Sequence, residues 1–148
     1  GNTWLRLGLG SASVNIGSSG DGANHQRITI DRGGSGGNPG RISASNNTSG
    51  SLSDSASLTS FNPSNTNVLE IFFNYTAAPI NYGTGESVGT NKYDVWLNGT
   101  RIANDFNLRN GPTGAAGFGF ASGGTQAGSA WIFDNLRVTA IPEPATLG

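Results

Sequence analysis

The chain contains no cysteine and no methionine. Without cysteine there is no disulfide and no thiolate metal site. Charge is scarce too: Asp, Glu, Lys and Arg make up 11% of the 148 residues, against about 25% in ordinary globular proteins. Seven Arg and one Lys lie scattered, with no basic stripe, so a nucleic-acid partner is not expected. No apolar run approaches the ~20 residues of a helical membrane span. No signal peptide is visible, as in a secreted protein that has already lost one. What is abundant is glycine, 24 of 148 residues, where about 7% is usual. The surface must therefore be Ser, Thr, Asn and Gly. With a net charge of −1, such a surface repels its neighbours weakly and permits lateral association.

The dominant hydrophobic period is two. Leu5, Leu7 and Leu9 alternate with Trp4, Arg6 and Gly8; Val14 with Ile16, and Ile28 with Ile30, do the same. Ile42 opens a further extended piece. From Ser49 to Ser57 serine occupies every odd position, and Leu52, Ala56 and Leu58 fall on even ones. That alternation predicts a strand with a hydroxyl face; a low-complexity linker is the rival reading. Asn67 to Tyr75 predicts a central strand, with Leu69, Ile71, Phe73 and Tyr75 on one face and Val68, Glu70, Phe72 and Asn74 on the other. A Gly-rich loop should run from there to Asn91. Tyr93–Leu97, Asn98-Gly99 and Thr100–Ala103 predict a hairpin, because a two-residue Asn-Gly turn suits positive φ at both positions. Phe106 to Leu108 would extend its second arm, Phe118–Phe120 would be a short strand, and Ala130–Val138 the last. Glycine and proline recur too often for long helices. One domain of nine or ten short strands predicts an all-β, antiparallel β-sandwich.

Two resemblances add to this. Ile141-Pro142-Glu143-Pro144-Ala145-Thr146-Leu147-Gly148 resembles the start of a PEP-CTERM tail, the sorting signal of many Gram-negative surface and matrix proteins. The resemblance implies a sorting motif at Pro142, Glu143 and Pro144, a destination outside the cell, and a membrane association only transiently, through an apolar C-terminal segment missing here. It divides the chain into a domain at 1–139 and a tail at 140–148. Second, "YDVWLNGTRIANDF", "GFGFASG" and "AWIFDNLRV" resemble the C-terminal half of laminin-G or concanavalin-like jelly rolls, and "WLRLGLG" fits more loosely. Such domains carry one or two strands before the piece matching "WLRLG". Here the chain opens on that piece, so the sandwich is expected to be incomplete at its N-terminal edge, leaving an edge that recruits strands.

Candidate chemistry is sparse. The one histidine, His25, lies in a Gly/Asn/Ser stretch, and no Gly-x-Ser-x-Gly elbow follows a buried strand. Glu70, Glu86 and Glu143 stand apart, so no paired carboxylates suggest a glycosidase. For glycan binding, Trp96 with Asp94, then Trp131 with Asn135, then Trp4 with Arg6, place an aromatic ring and a polar group on one strand face; packing is the alternative in each case. Asp134 falls among Ile132 and Leu136 on the mainly apolar face of the last predicted strand. A buried carboxylate there needs a cation or backbone donors, and the jelly-roll resemblance implies structural calcium; no other cofactor is expected. The reading as a whole is a secreted, non-enzymatic structural protein, a subunit of a surface filament, sheath or biofilm matrix. It would assemble with other copies of itself through strand-edge contacts, with Asn2–Leu9 or Thr139–Leu147 as donor. The alternative is a lectin-like module holding extracellular polysaccharide.

Overall fold

The structure, a computed structural model, describes residues 3–11, 15–16, 23–32, 39–54, 57–112, 114–124, 131–132 and 134–137. These form ten strands and no helix: β1 (Thr3–Gly10), β2 (Asn24–Asp31), β3 (Gly40–Ala44), β4 (Thr59–Phe61), β5 (Leu69–Asn74), β6 (Ile80–Tyr82), β7 (Glu86–Val88), β8 (Lys92–Leu97), β9 (Thr100–Asn107) and β10 (Gly117–Gly124). All pair antiparallel. One sheet has the order β10-β1-β2-β3-β4, a second β5-β8-β9, and β6 with β7 makes a separate hairpin. The all-β antiparallel architecture is the expected one.

The two larger sheets bury their facing sides in one core. Leu5, Leu7, Ile28, Ile42 and Ala44 of the five-stranded sheet meet Tyr93, Val95, Leu97 and Ala103 of the three-stranded one, with Leu108 just beyond it. The period-two pattern makes this possible, since it gathers every second side chain on one face of the pleat. In β5 the predicted inner set, Leu69, Ile71, Phe73 and Tyr75 just after it, packs against that core.

The β8–β9 hairpin turns at Asn98 (φ 51°) and Gly99 (φ 77°). Asn98 Oδ1 accepts from Val68 N–H at 2.8 Å, tying the turn to β5. The register shifts between Tyr93 and Val95 and again between Val95 and Trp96. In that stretch of β9, Asp105 adopts φ 54°, as a bulged residue does.

Four expectations are corrected. First, β1 is not at an edge. It pairs with β10 from Thr3↔Gly124 to Gly10↔Gly117 and with β2 on its other side, so Thr3–Leu9 of the expected donor Asn2–Leu9 is an inner strand, and the place beside it is filled by β10. Second, residues 49–53 form a loop. Asn47 Nδ2 donates to Ser49 O and Ser51 O, both at 2.8 Å, Gly50 sits at φ 76°, and Leu52 is the one buried anchor. Side-chain bonds of this local kind compete with a ladder. Third, residues 131, 132 and 134–137 form no strand. Asn135 has φ 56°, and Ile132 and Leu136 are 92% and 63% exposed. Fourth, the stretch between β5 and β8 is not all loop: it folds back as β6–β7, turning through Gly83 (φ 58°) and Gly85 (φ 80°).

The glycines of β10 have a packing reason. A Cβ on Gly123 would stand 2.4 Å from the Trp4 ring, and Cβ atoms on Gly119 and Gly8 would meet Ile16. Trp4 and Ile16 thus lie across bare backbone on the outer face of the five-stranded sheet.

Candidate functional site

A dense polar cluster lies on the outer face of β5-β8-β9, beneath the β6–β7 hairpin. β8 alternates, so Tyr93, Val95 and Leu97 enter the core while Lys92, Asp94 and Trp96 face the other way. β7 approaches both β5 and β8, and Tyr82 of β6 lies over the outer face. Its ring stacks on Phe72, with centroids 3.9 Å apart. The Tyr82 hydroxyl donates to Asp94 Oδ2 and accepts from Trp96 Nε1–H at 3.0 Å. Arg101, cross-strand from Trp96, donates to Glu86 Oε2 at 2.6 Å and to Asp94 Oδ2 at 3.4 Å. Asp94 Oδ1 takes the Asp105 backbone N–H at 2.6 Å.

Asp94 is therefore 0% exposed. Both its oxygens are occupied by protein donors, which is how a buried carboxylate is tolerated. Burial, followed by the hydrogen bond to Asp94, raises the Tyr82 pKa above its ordinary value. Asp94 and Trp96 do share a strand face, as expected, but Asp94 is closed off from solvent while Trp96 stays half-buried. The reason is the hairpin over this face, which supplies Tyr82 and Glu86 from 12 and 8 residues upstream of Asp94. The Trp96–Arg101 pairing was available from the sequence, since a two-residue Asn-Gly turn sets Leu97 opposite Thr100 and Trp96 opposite Arg101.

The other candidates separate. Trp131 packs partly buried against the core, while Asn135 is exposed; with no strand there, the two share no strand face. Trp4 lies with the Arg6 guanidinium 4.4 Å from its ring centroid and β10 backbone beside it. Asp134 is exposed, so the burial argument for calcium at that residue fails: its carboxylate is in water. Among the described residues no group of three or more His, Asp or Glu side chains is placed to hold a metal ion. Pro142, Glu143, Pro144 and the rest of the tail lie outside the described residues.

His25 is not a solvated loop residue. It belongs to β2, is 7% exposed and has its ring centroid 5.9 Å from that of Tyr75. Burial first, and nearby Arg109 second, lower its pKa. Its Nδ1 has no hydrogen-bond partner among the described residues, so that nitrogen is coupled to no nucleophile there.

Two arginines that the sequence did not single out act as braces. Arg109, 1% exposed, donates from Nε to Asn24 O at 2.9 Å and from Nη1 to Gly50 O at 2.6 Å. Arg27, 4% exposed, donates to Asp54 Oδ1 at 3.0 Å and to Leu52 O at 3.1 Å. Thr29 Oγ1 donates to the same Asp54 oxygen at 3.0 Å. The loop after β3 is held down by these bonds. A planar fork of five donors suits the task of collecting backbone carbonyls.

No family model, curated protein or solved structure matches the chain.

Proposed function

We propose that this chain is a non-enzymatic structural protein, secreted to the cell surface or extracellular matrix, whose copies associate through strand edges. The observation that carries the reading is β10. It is the outermost strand of the five-stranded sheet among the described residues. Its eight residues, Gly117 to Gly124, include no charge and no proline, the usual guards of an edge. Phe118 and Phe120 on it are 37% and 41% exposed. They pair with Leu9 and Leu7 and so share the core-directed face, yet stay open. The address rests on the Pro142-Glu143-Pro144 sequence, and with it the proposal of a bacterial matrix or filament subunit.

A lectin-like role is the weaker reading, because Trp96, Asp94 and Trp4 are engaged within the fold. Size-exclusion chromatography and electron microscopy of the purified protein over rising concentration test the assembly reading. Filaments or concentration-dependent oligomers are expected, and Phe118→Lys should abolish them. A parent protein that stays monomeric at high concentration overturns the reading.

A further inference from the structure

Lys92 is the single lysine of the chain. It opens β8 and stands in register with Asn107, the last residue of β9. Both are half-buried. Lys92 Nζ donates to Asn107 Oδ1. The same amide is gripped from the other side: Asn107 Nδ2 donates to Asn46 Oδ1 at 2.9 Å and to Asn46 O at 3.1 Å. The Asn107 backbone N–H also donates to Asn46 Oδ1, at 2.8 Å. The amide is thereby fixed with its oxygen toward the amine and its nitrogen away from it. Its carbonyl carbon lies one bond, about 1.2 Å, behind that oxygen, so little movement separates this pair from the roughly 3–3.5 Å of a near-attack arrangement.

We propose that Lys92 and Asn107 are the site of an intramolecular amide cross-link between β8 and β9. An unprotonated lysine amine is a competent nucleophile toward a carbonyl carbon. Its Nζ attacks Asn107 Cγ; the Nζ–Cγ bond forms and the Cγ–Nδ2 bond breaks. The protons shed by the lysine ammonium and amine pass through water to Nδ2, which leaves as ammonium. The positive charge moves from lysine to the departing group, no electrons change hands, and the chain becomes lighter by one ammonia. Asp105, two positions before Asn107, flanks this site. A Cβ built on Gly89 would be 3.3 Å from both its Oδ1 and Lys92 Cγ. The product closes the open end of a hairpin whose other end is the Asn98-Gly99 turn. A chain with no cysteine would gain a covalent tie that reducing conditions leave intact. This inference does not depend on the assembly reading.

Intact-mass spectrometry of the full chain, fresh and after incubation at alkaline pH, tests it, together with Lys92→Arg and Asn107→Ala. The parent protein should lose one ammonia, increasingly so at alkaline pH, and neither variant should show a loss that maps to position 92 or 107. Asn98-Gly99 and Asn110-Gly111 can also lose ammonia by cyclising, so the loss must be located. Trypsin cuts after Arg101, between the two residues. A cross-link therefore appears as one branched species joining the peptide that carries Lys92 to residues 102–109. Full mass under all conditions, or ammonia loss confined to Asn98 or Asn110 with the two peptides separate, overturns the proposal.

Discussion

The Tyr82 hydroxyl donates to the Asp94 carboxylate from the two-stranded β6–β7 hairpin. One buried acceptor thereby binds three elements: β6 through Tyr82, β8 through its own backbone, and β9 through Arg101 and the Asp105 N–H.

Replacing Asp94 by Ala should leave the Tyr82 hydroxyl and the Asp105 N–H without their acceptor. Buried groups left unsatisfied cost about 1–3 kcal/mol each, so urea denaturation should show a loss of about 3 kcal/mol. Tyr82→Phe removes one bond and keeps the stack on Phe72, so its cost should be smaller, about 1 kcal/mol. Equal losses from the two substitutions would contradict the network.

The pH dependence of stability has a specific contributor on the acid side. The folded-state pKa of His25 is lowered by burial and by Arg109, while the unfolded chain titrates near 6.5. The stabilisation is present above about pH 6.5 and is lost as pH falls through the lower folded value, because the unfolded state takes up the proton first. His25→Gln should flatten that part of the profile of urea midpoints between pH 7.5 and pH 5. Tyr75 and Tyr93 act at the alkaline end. Burial raises both, so their contribution is intact below about pH 10 and disappears as pH rises through their folded values.

The Asn98-Gly99 turn and the faces of β5 were legible because they depend on neighbours in sequence. The turn needs only two residues that accept positive φ, and the faces need only alternation. The position of β1 was not legible. Its partner, β10, begins more than a hundred residues later, and nothing local in "WLRLGLG" distinguishes a central strand from an edge. Asp94 misled for a related reason. Alternation correctly turned it away from the core, but the burial on that side comes from β6–β7, short strands within a Gly-rich stretch. Serine at every odd position from 49 to 57 imitated a strand, whereas the serine carbonyls serve Asn47 and the loop. The alternation around Asp134 points to a strand face that the described residues 131, 132 and 134–137 do not form.

Arg109 braces the connection from β9 against two carbonyls far away in sequence, Asn24 O and Gly50 O. Arg109→Lys keeps the charge but has no planar fork to span both. It should cost about 2 kcal/mol and increase hydrogen exchange in the loop around Gly50. Arg109→Leu should cost more, since it leaves both carbonyls without their side-chain donor. A loop protected to the same degree in the lysine variant would show that the bidentate reach is not what holds it.

The outer face of the five-stranded sheet offers the most direct check on packing. A Cβ on Gly8 would lie 2.3 Å from Ile16 Cδ1 and 3.0 Å from the Gln26 carbonyl oxygen. The first contact is with the end of a flexible side chain; the second is with backbone that cannot easily move. Gly8→Ala should therefore destabilise by about 1–3 kcal/mol, as overpacking does. Truncating the flexible partner relieves only the first contact. The double variant Gly8→Ala with Ile16→Ala should thus lose less than the sum of the two single losses, with a coupling of about 1 kcal/mol. A control is Gly114→Ala, where a Cβ meets nothing within 4 Å and the change should be within about 0.5 kcal/mol. Strict additivity at Gly8 and Ile16 in thermal or urea unfolding would mean that Ile16 does not rest on the bare backbone of β1.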